Sequence, residues 1–395
     1  MTRFVLLLAV LCVALPRPAG ADDRVDVSGH VKAFGVGTIP YTSRLMPPGP
    51  TGSATFDARL KVVLSPFDGL RFELHPTLTA GIGGVTGIST GVEGFAPEAF
   101  PMSATLFAGD TFGLRFRMDR MNLRAEMGPL RVTIGRQALS FGQGQFFTPM
   151  DLVAPFTPAT LDTAYKPGVD AVRADLFVGM GAQISVLGAY LGEWSLDGSA
   201  LIGHGTVTVG ATDVSLMLGS VYGDLVVGGS VWAPIGPVAV WADVTLTGLA
   251  PNPFVRAVVG AMVRPGPTTV ISAEVYGQRF GTADPSKYLL LGMGERYQRS
   301  ELWLSGHLYA AVALSQEITP LLHASVAVLG NLLDPSAYLL PSISWAAAEN
   351  ADLSFGVQVG LGARPDEDAD NPVRSARSEF GTAPFSAFLR AGFYF

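Results

Sequence analysis

The sequence predicts an all-β fold: a transmembrane antiparallel β-barrel of about 18 strands, closed by an aromatic C-terminal strand. Three observations predict it. Apolar and polar residues alternate with a period of two through nearly the whole chain, short turns alternate with long connections, and no run beyond the N-terminal segment approaches the roughly 20 apolar residues of a membrane helix. With 48% hydrophobic residues and no spanning helix, an exported chain has two outlets, a soluble β protein or a closed barrel. A sandwich, solenoid or propeller would explain the alternation. It would not explain strands of about ten residues with apolar faces and no helices to cover them.

Residues 1–21 read as a cleaved Sec signal peptide, with Arg3 in a short basic region, an apolar core from Phe4 to Leu15, and small residues at Ala19, Gly20 and Ala21. Leu11 and Val13 around Cys12 do not form a lipobox. Cys12 is the only cysteine, so the mature chain carries neither a disulfide framework nor a thiolate site. Loss of Arg3 and Arg17 takes the basic count from 26 to 24 against 33 acids, a formal charge of about −9 that argues against a nucleic-acid partner. Residues 22–395 are then a single barrel domain.

The first strand starts near Val25. In TFDARLKVVL, Phe56, Ala58, Leu60, Val62 and Leu64 oppose Asp57, Arg59 and Lys61. LRFELHPTLT and DLSFGVQVGL repeat the pattern, with Leu70, Phe72 and Leu74 opposing Arg71, Glu73 and His75, and Leu353, Phe355 and Val357 opposing Ser354, Gly356 and Gln358. Tight turns fall at 65–69, 128–129, 179–181, 210–212, 233–237, 264–267, 315–320 and 347–351. Long connections span 38–54, 81–112, 139–168, 281–299 and 364–383, with shorter ones near 193–198, 222–224, 248–253 and 331–336. Short periplasmic turns and long outer loops are the habit of outer-membrane barrels. The tally is 18 strands with both termini periplasmic, with 16 as the alternative; its weak points, each worth two strands, are the unusually tight outer turn in VSLMLGSVYGDLVVGGSVW and the segment KYLLLGMGERYQRS, which reads as strand or loop. The chain closes on FSAFLRAGFYF, where Phe385, Ala387, Leu389, Ala391, Phe393 and Phe395 share the apolar face and Arg390 lies on the other.

If the apolar faces meet lipid, the opposite faces line the interior. This assigns Arg59, Lys61, Arg71, Glu73, Arg115, Arg117, Asp119, Arg124, Arg131, Arg173 and Arg390 to the pore wall. The alternation slips near Arg120, as a β-bulge would cause. Between Arg173 and Arg256 there is no Lys or Arg, so one wall is basic and the opposite one almost uncharged. The uncharged wall suits an inserted loop or an amphipathic conduit. Residues 140–168 are the candidate loop, because Pro149, Pro155, Pro158 and Pro167 deny it ladder bonding while Phe146, Phe147, Phe156 and Tyr165 need burial.

Within IGRQALSFGQGQFFTPMD, residues Gly135, Arg136, Gln137, Phe141, Gly142, Phe147, Pro149 and Asp151 resemble the G-R-Q and aromatic-Gly segment of outer-membrane porin-like barrels of the alginate-export family. The resemblance covers about 20 residues. It implies an 18-stranded barrel with an Arg-lined passage that includes Arg136, although strict alternation puts Arg136 on the lipid-side face with Leu130, Val132 and Ile134.

Catalysis finds no support. His30, His75, His204, His307 and His323 are scattered with no nearby nucleophile or second ligand, and His75 and His307 read as polar groups of the lumen. The acids Asp366, Glu367, Asp368 and Asp370 lack the spacing of a calcium loop, and GIGGVTGISTG lacks the Lys-Ser/Thr ending of a phosphate loop. Trp194, Trp232, Trp241 and Trp345 sit where interface girdles belong, whereas Trp303 is placed inward beside His307 and Tyr309. The expected protein is not an enzyme and takes no cofactor or metal. It is a passive channel in the outer membrane of a Gram-negative bacterium for small hydrophilic or anionic solutes. Its partners would be lipid, lipopolysaccharide and the barrel-assembly machinery that reads the last strand. The alternatives are a polysaccharide or secretion conduit with periplasmic partners, a structural or adhesive barrel with a blocked lumen, and an uptake route for apolar molecules.

Overall fold

The computed structural model describes residues 24–41, 49–83, 97–156, 162–248 and 253–395; the leader at 1–21 lies outside them. The chain enters the wall through β1 (Val25–Ile39), β2 (Thr51–Phe67) and β3 (Leu70–Gly83). Next come a short β4 (Ser103–Ala108), β5 (Phe112–Met127), β6 (Leu130–Gln137), β7 (Val169–Val178), β8 (Ala182–Tyr190) and β9 (Ser199–Val209). The wall continues through β10 (Thr212–Val221), β11 (Asp224–Ile235), β12 (Val238–Thr247), β13 (Phe254–Gly266) and β14 (Thr269–Gln278). It ends with β15 (Leu308–Thr319), β16 (Leu322–Asn331), β17 (Ser336–Ala348), β18 (Ala351–Leu361) and β19 (Phe385–Tyr394).

Each strand pairs antiparallel with its neighbour, and β19 pairs with β1 from His30–Tyr394 to Ile39–Phe385, which closes the ring. Phe395 takes part: Gly29 N donates to Phe395 O at 2.8 Å and Phe395 N to Gly29 O at 3.1 Å. Closure pairs the first strand with the last, so neither is left as an open edge. Among the described residues the 19 strands fill 18 positions of the ring, because β4 and β6 pair with successive lengths of the same edge of β5. Alternation decides the two surfaces. Ile184, Val186, Leu216, Leu218, Val259, Val275, Phe355 and Leu389 are exposed outward, while Ser185, Leu187, Ser215, Met217, Val258, Glu274, Tyr276 and Gln358 are buried inside. The slip near Arg120 corresponds to a register shift in which His75 faces Arg120 and Pro76 faces Met118, so Asp119 is the extra residue.

Three segments differ from the sequence expectation. The connection assigned to 81–112 contains β4. KYLLLGMGERYQRS is neither strand nor plain loop but holds short helices at Tyr288–Gly292 and Glu295–Gln298. The outer connection it belongs to runs to residue 307, so Trp303 and His307 precede β15 rather than facing the lumen from a strand. Trp241 is also misassigned to a girdle: it shares the inward parity of Asp243 and is 2% exposed.

The position of β4 explains how the wall survives when β6 leaves it. Along one edge β5 pairs with β3 throughout; along the other, Met121–Met127 pair with β6 and Gly113–Arg117 pair with β4. β6 stops at Gln137 and the chain turns inward, so β4 occupies the length of wall that β6 vacates. Between them, Met118 N donates to Met102 O at 2.9 Å.

Candidate functional site

The segment between β6 and β7 runs into the barrel interior and touches the inner wall at widely separated places. Leu139, Phe141, Met150, Leu152 and Val153 pack on Val169, Ala171, Leu187, Ala200, Ile202, Met217 and Val226, the apolar inner face of β7–β11. From β8 to β11 this face carries no Lys or Arg, and its apolar inner side chains are what let a loop rich in apolar groups dry it. Phe141 meets His204 edge-on at 5.1 Å.

Beyond that face the loop reaches β12 and β14, and β14 lies eight positions round the ring from β6. Here two buried carboxylates hold five successive backbone N–H groups. Asp243 Oδ2 accepts from Gln143 N at 2.8 Å and Gly144 N at 3.0 Å. Glu274 accepts from Gln145 N at 2.6 Å, Phe146 N at 2.9 Å and Phe147 N at 3.0 Å, and Trp241 Nε1 donates to the same carboxylate at 2.8 Å. Successive N–H groups converging on an anion form a nest, here filled by the protein's own acids. The approach is close: a Cβ on Gly142, whose φ is +87°, would lie 2.5 Å from Asp243 Oδ2, and one on Gly144 would collide with Phe147 O. Phe147 then stacks on Tyr276 at 4.8 Å, and Thr245 Oγ1 donates to Pro149 O at 2.8 Å.

The return leg crosses to the basic wall. Asp162 accepts from Lys32 Nζ on β1 and lies 4.0 Å from Arg390 on β19. Tyr165 covers the cations of the first strands, with Lys61 Nζ 4.2 Å and the Arg59 guanidinium 4.7 Å from its ring centroid. Lys166 closes the loop on itself through Asp151 and Leu139 O; burial pushes the Asp151 carboxyl up and the Lys166 ammonium down. Desolvation alone would raise Asp162, but the Lys32 hydrogen bond and Ala164 N outweigh it, so its carboxyl sits below the usual range. A depressed folded pKa means this tether stabilises above the unfolded carboxylate pKa of about 4 and is lost as pH falls through the folded value. The Asp162 contribution, read as the difference in conductance between the unsubstituted protein and Asp162→Asn, should therefore be constant between pH 8 and 5 and vanish below about pH 4. A tether that weakens in the neutral range would refute this.

The predicted wall residues differ in what covers or pairs them. Arg59, Arg117 and Asp119 face inward but lie under the loop: Arg59 pairs with Asp119, Arg117 Nη2 donates to Gly168 O at 3.1 Å, and Gly168 N donates to Asp119 at 3.1 Å. Arg131 pairs with Glu126, Arg173 with Asp175, Arg390 with Asp352, and Glu73 with His75. Lys61, Arg71 and Arg124 have no carboxylate within ion-pair distance among the described residues, and Arg71 faces Arg124 directly across β3 and β5. Arg115 is exposed on the same strand as Arg124.

Arg136 is not part of any passage. It keeps the outward parity of Ile134, as Asp170 keeps that of Val172, and it is 1% exposed beneath residues 98–100. All five of its N–H groups are used. Nε and Nη2 bind Asp170 at 2.8 Å each, Nη1 binds Glu98 Oε1 and Met118 O at 3.0 Å each, and Nη2 also binds Phe100 O at 3.1 Å. The guanidinium thus seals the seam where β6 turns inward and β4 takes over, and nothing remains to meet a solute. The other motif residues are loop attachments: Gln137 Nε2 binds Ala171 O at 3.1 Å, and Phe141, Gly142, Phe147, Pro149 and Asp151 make the contacts described above. Asp243, Glu274, Lys32, Asp162 and Glu98 were not identified from sequence. Asp243 alone left a signal, an inward acid in a stretch with no cation to balance it. Among the described residues no cluster of His, Cys, Asp and Glu could hold a metal.

No family model and no curated protein sequence matches the chain. Among solved structures it is similar to OccAB1 of Acinetobacter baumannii at 11% identity and a TM-score of 0.58, covering 96% of this chain and 98% of that one. It is also similar to a variant of the Rh. blastica porin (10% identity, 94% and 100% covered, TM-score 0.49) and to the low-pH structure of Pseudomonas putida OprB (10%, 94% and 93%, 0.44). The likeness to OccAB1 extends over 96% of this chain, and the chain therefore shares the fold of that barrel, here closed by 18 antiparallel strands.

Proposed function

We propose that the protein is an outer-membrane channel for the passive passage of small hydrophilic solutes, with preference for anions. The observation that carries this reading is the division of the interior. The in-folded loop occupies the apolar wall and narrows the lumen, while on the wall that remains Arg71 and Arg124 have no carboxylate partner among the described residues and Lys61 has the Tyr165 ring over it. Cations that line a narrowed, low-dielectric passage raise the local concentration of anions and lower their barrier.

The test is conductance and reversal potential across a salt gradient, with refolded residues 22–395 in planar bilayers. Anion preference is expected. Replacing Lys61, Arg71 and Arg124 together with Glu should reverse the sign of the reversal potential; an unchanged sign would remove these residues from the pathway. A secretion conduit of the alginate-export type would instead be silent until the loop is displaced, and a structural barrel would be silent in both states.

A further inference from the structure

Arg256 ends the stretch without Lys or Arg, and its environment differs from that of the other buried guanidinium groups. It stands on β13 with the inward parity of Phe254 and Val258 and is 4% exposed. Nη1 donates to Glu301 O at 2.8 Å, while Nε is buried without a partner. No carboxylate lies within ion-pair distance of it among the described residues, because the acids nearby serve other cations: Glu301 binds Arg296 at 2.6 Å and Asp151 binds Lys166. One face is covered by Phe254, 5.0 Å from the guanidinium carbon to the ring centroid. A buried charge with no counter-ion is heavily penalised, so its persistence calls for a compensating group.

Space for one is present. Arg256 lines a cavity of about 40 Å³ shared with Phe147, Pro149, Phe156, Tyr276 and Trp303, between the in-folded loop and the connection that precedes β15. That volume exceeds what a single water needs. Five of the thirteen residues that line it are aromatic, with ring edges of positive potential that suit an anion, and its two carboxylates, Asp151 and Glu301, are each held by another cation.

We propose that this cavity binds one small monovalent anion, a halide ion or the carboxylate head of a small organic acid, held by Arg256 between the two in-folded loops. The bound anion neutralises Arg256 and ties the loop at Phe147–Phe156 to the connection at Glu301–Leu304. The site is separate from the basic wall of β2, β3 and β5, so its occupant bridges loops rather than moving along the passage.

The test uses the full mature barrel. Crystals soaked in sodium bromide should show an anomalous peak within hydrogen-bond reach of the Arg256 guanidinium, and sodium acetate added at constant ionic strength should diminish it if the site accepts carboxylates. An acetate-insensitive peak would restrict the ligand to halides. In solution, bromide replacing divalent sulfate at constant ionic strength should quench Trp303 saturably, judged against Trp303→Phe, with the apparent affinity roughly tenfold or more weaker in Arg256→Gln. Absence of the peak in the unsubstituted protein, or the same saturable quenching in Arg256→Gln, would overturn the proposal. Bilayer conductance of the same preparation keeps the two readings apart, because a conducting barrel without bromide at Arg256 refutes only the loop site.

Discussion

Replacing Arg136 with Met should destabilise the barrel by about 3–5 kcal/mol, the range expected when one partner of a buried ion pair is removed and its carboxylates are left uncompensated. Asp170 would lose its counter-charge, Glu98 would keep only Arg117 at 3.5 Å, and the carbonyls of Met118 and Phe100 would lose a donor at a place where the strand ladder is already interrupted. Chemical unfolding in detergent and the temperature at which the folded band disappears on a gel should both shift. Arg136→Lys should rescue little, because an ammonium offers three donors at a point and cannot span Asp170, Glu98 and two carbonyls at once. An unfolding midpoint equal to that of the unsubstituted barrel would mean that the seam is held by β4 alone.

Glu274→Ala combined with Asp243→Ala should free the loop tip while leaving the wall intact. Hydrogen bonds to charged groups contribute about 1.5–3 kcal/mol each and are not additive, so a combined loss of about 3 kcal/mol is a conservative expectation, roughly a hundredfold in the ratio of displaced to seated loop. Single-channel recordings should change from steady current to frequent transitions into a state of higher conductance, and a protease should cut within the loop faster. The unfolding midpoint should move less than in Arg136→Met, since Leu139, Met150 and Leu152 remain on the apolar wall. Recordings with unchanged level and noise would show that the apolar packing, not the two carboxylates, seats the loop.

Much of the barrel was legible because its rule is local. A period of two, read from Phe56 to Leu64 or from Leu353 to Leu361, states which side chains meet lipid, and each turn residue is a few positions from the next. β4 escaped notice because SATLFA is short, lies amid a long connection, and forms where β6 departs and leaves the edge of β5 open. The helices at 288–298 were missed for a related reason. YLLLG carries a strand-like apolar run, and only packing around Tyr288, which is 2% exposed, distinguishes it from a wall strand.

The candidate site was legible in kind but not in detail. Alternation placed Arg59, Lys61, Arg71, Arg117 and Arg124 on the interior, but whether a cation is covered or open depends on where Tyr165 and Gly168 come to rest. Arg136 shows the limit most clearly. Its neighbours in sequence suggested a passage, while its parity suggested the outer face, and the contest was resolved by Asp170 and Glu98, each more than 30 residues away along the chain.

The sequence by itself determined the barrel, its closure by the last aromatic strand, the separation of a charged from an uncharged wall, and a loop too apolar to remain in water. These follow from side-chain alternation and the cost of exposing apolar groups, which act at short range along the chain. Only the tertiary structure decided that five N–H groups at 143–147 meet acids about 100 or more residues away, that Arg136 seals a seam, and that Arg256 keeps an unfilled charge. Those pairings arise because ring closure brings distant strands face to face, and a buried charge then takes whichever partner the geometry supplies.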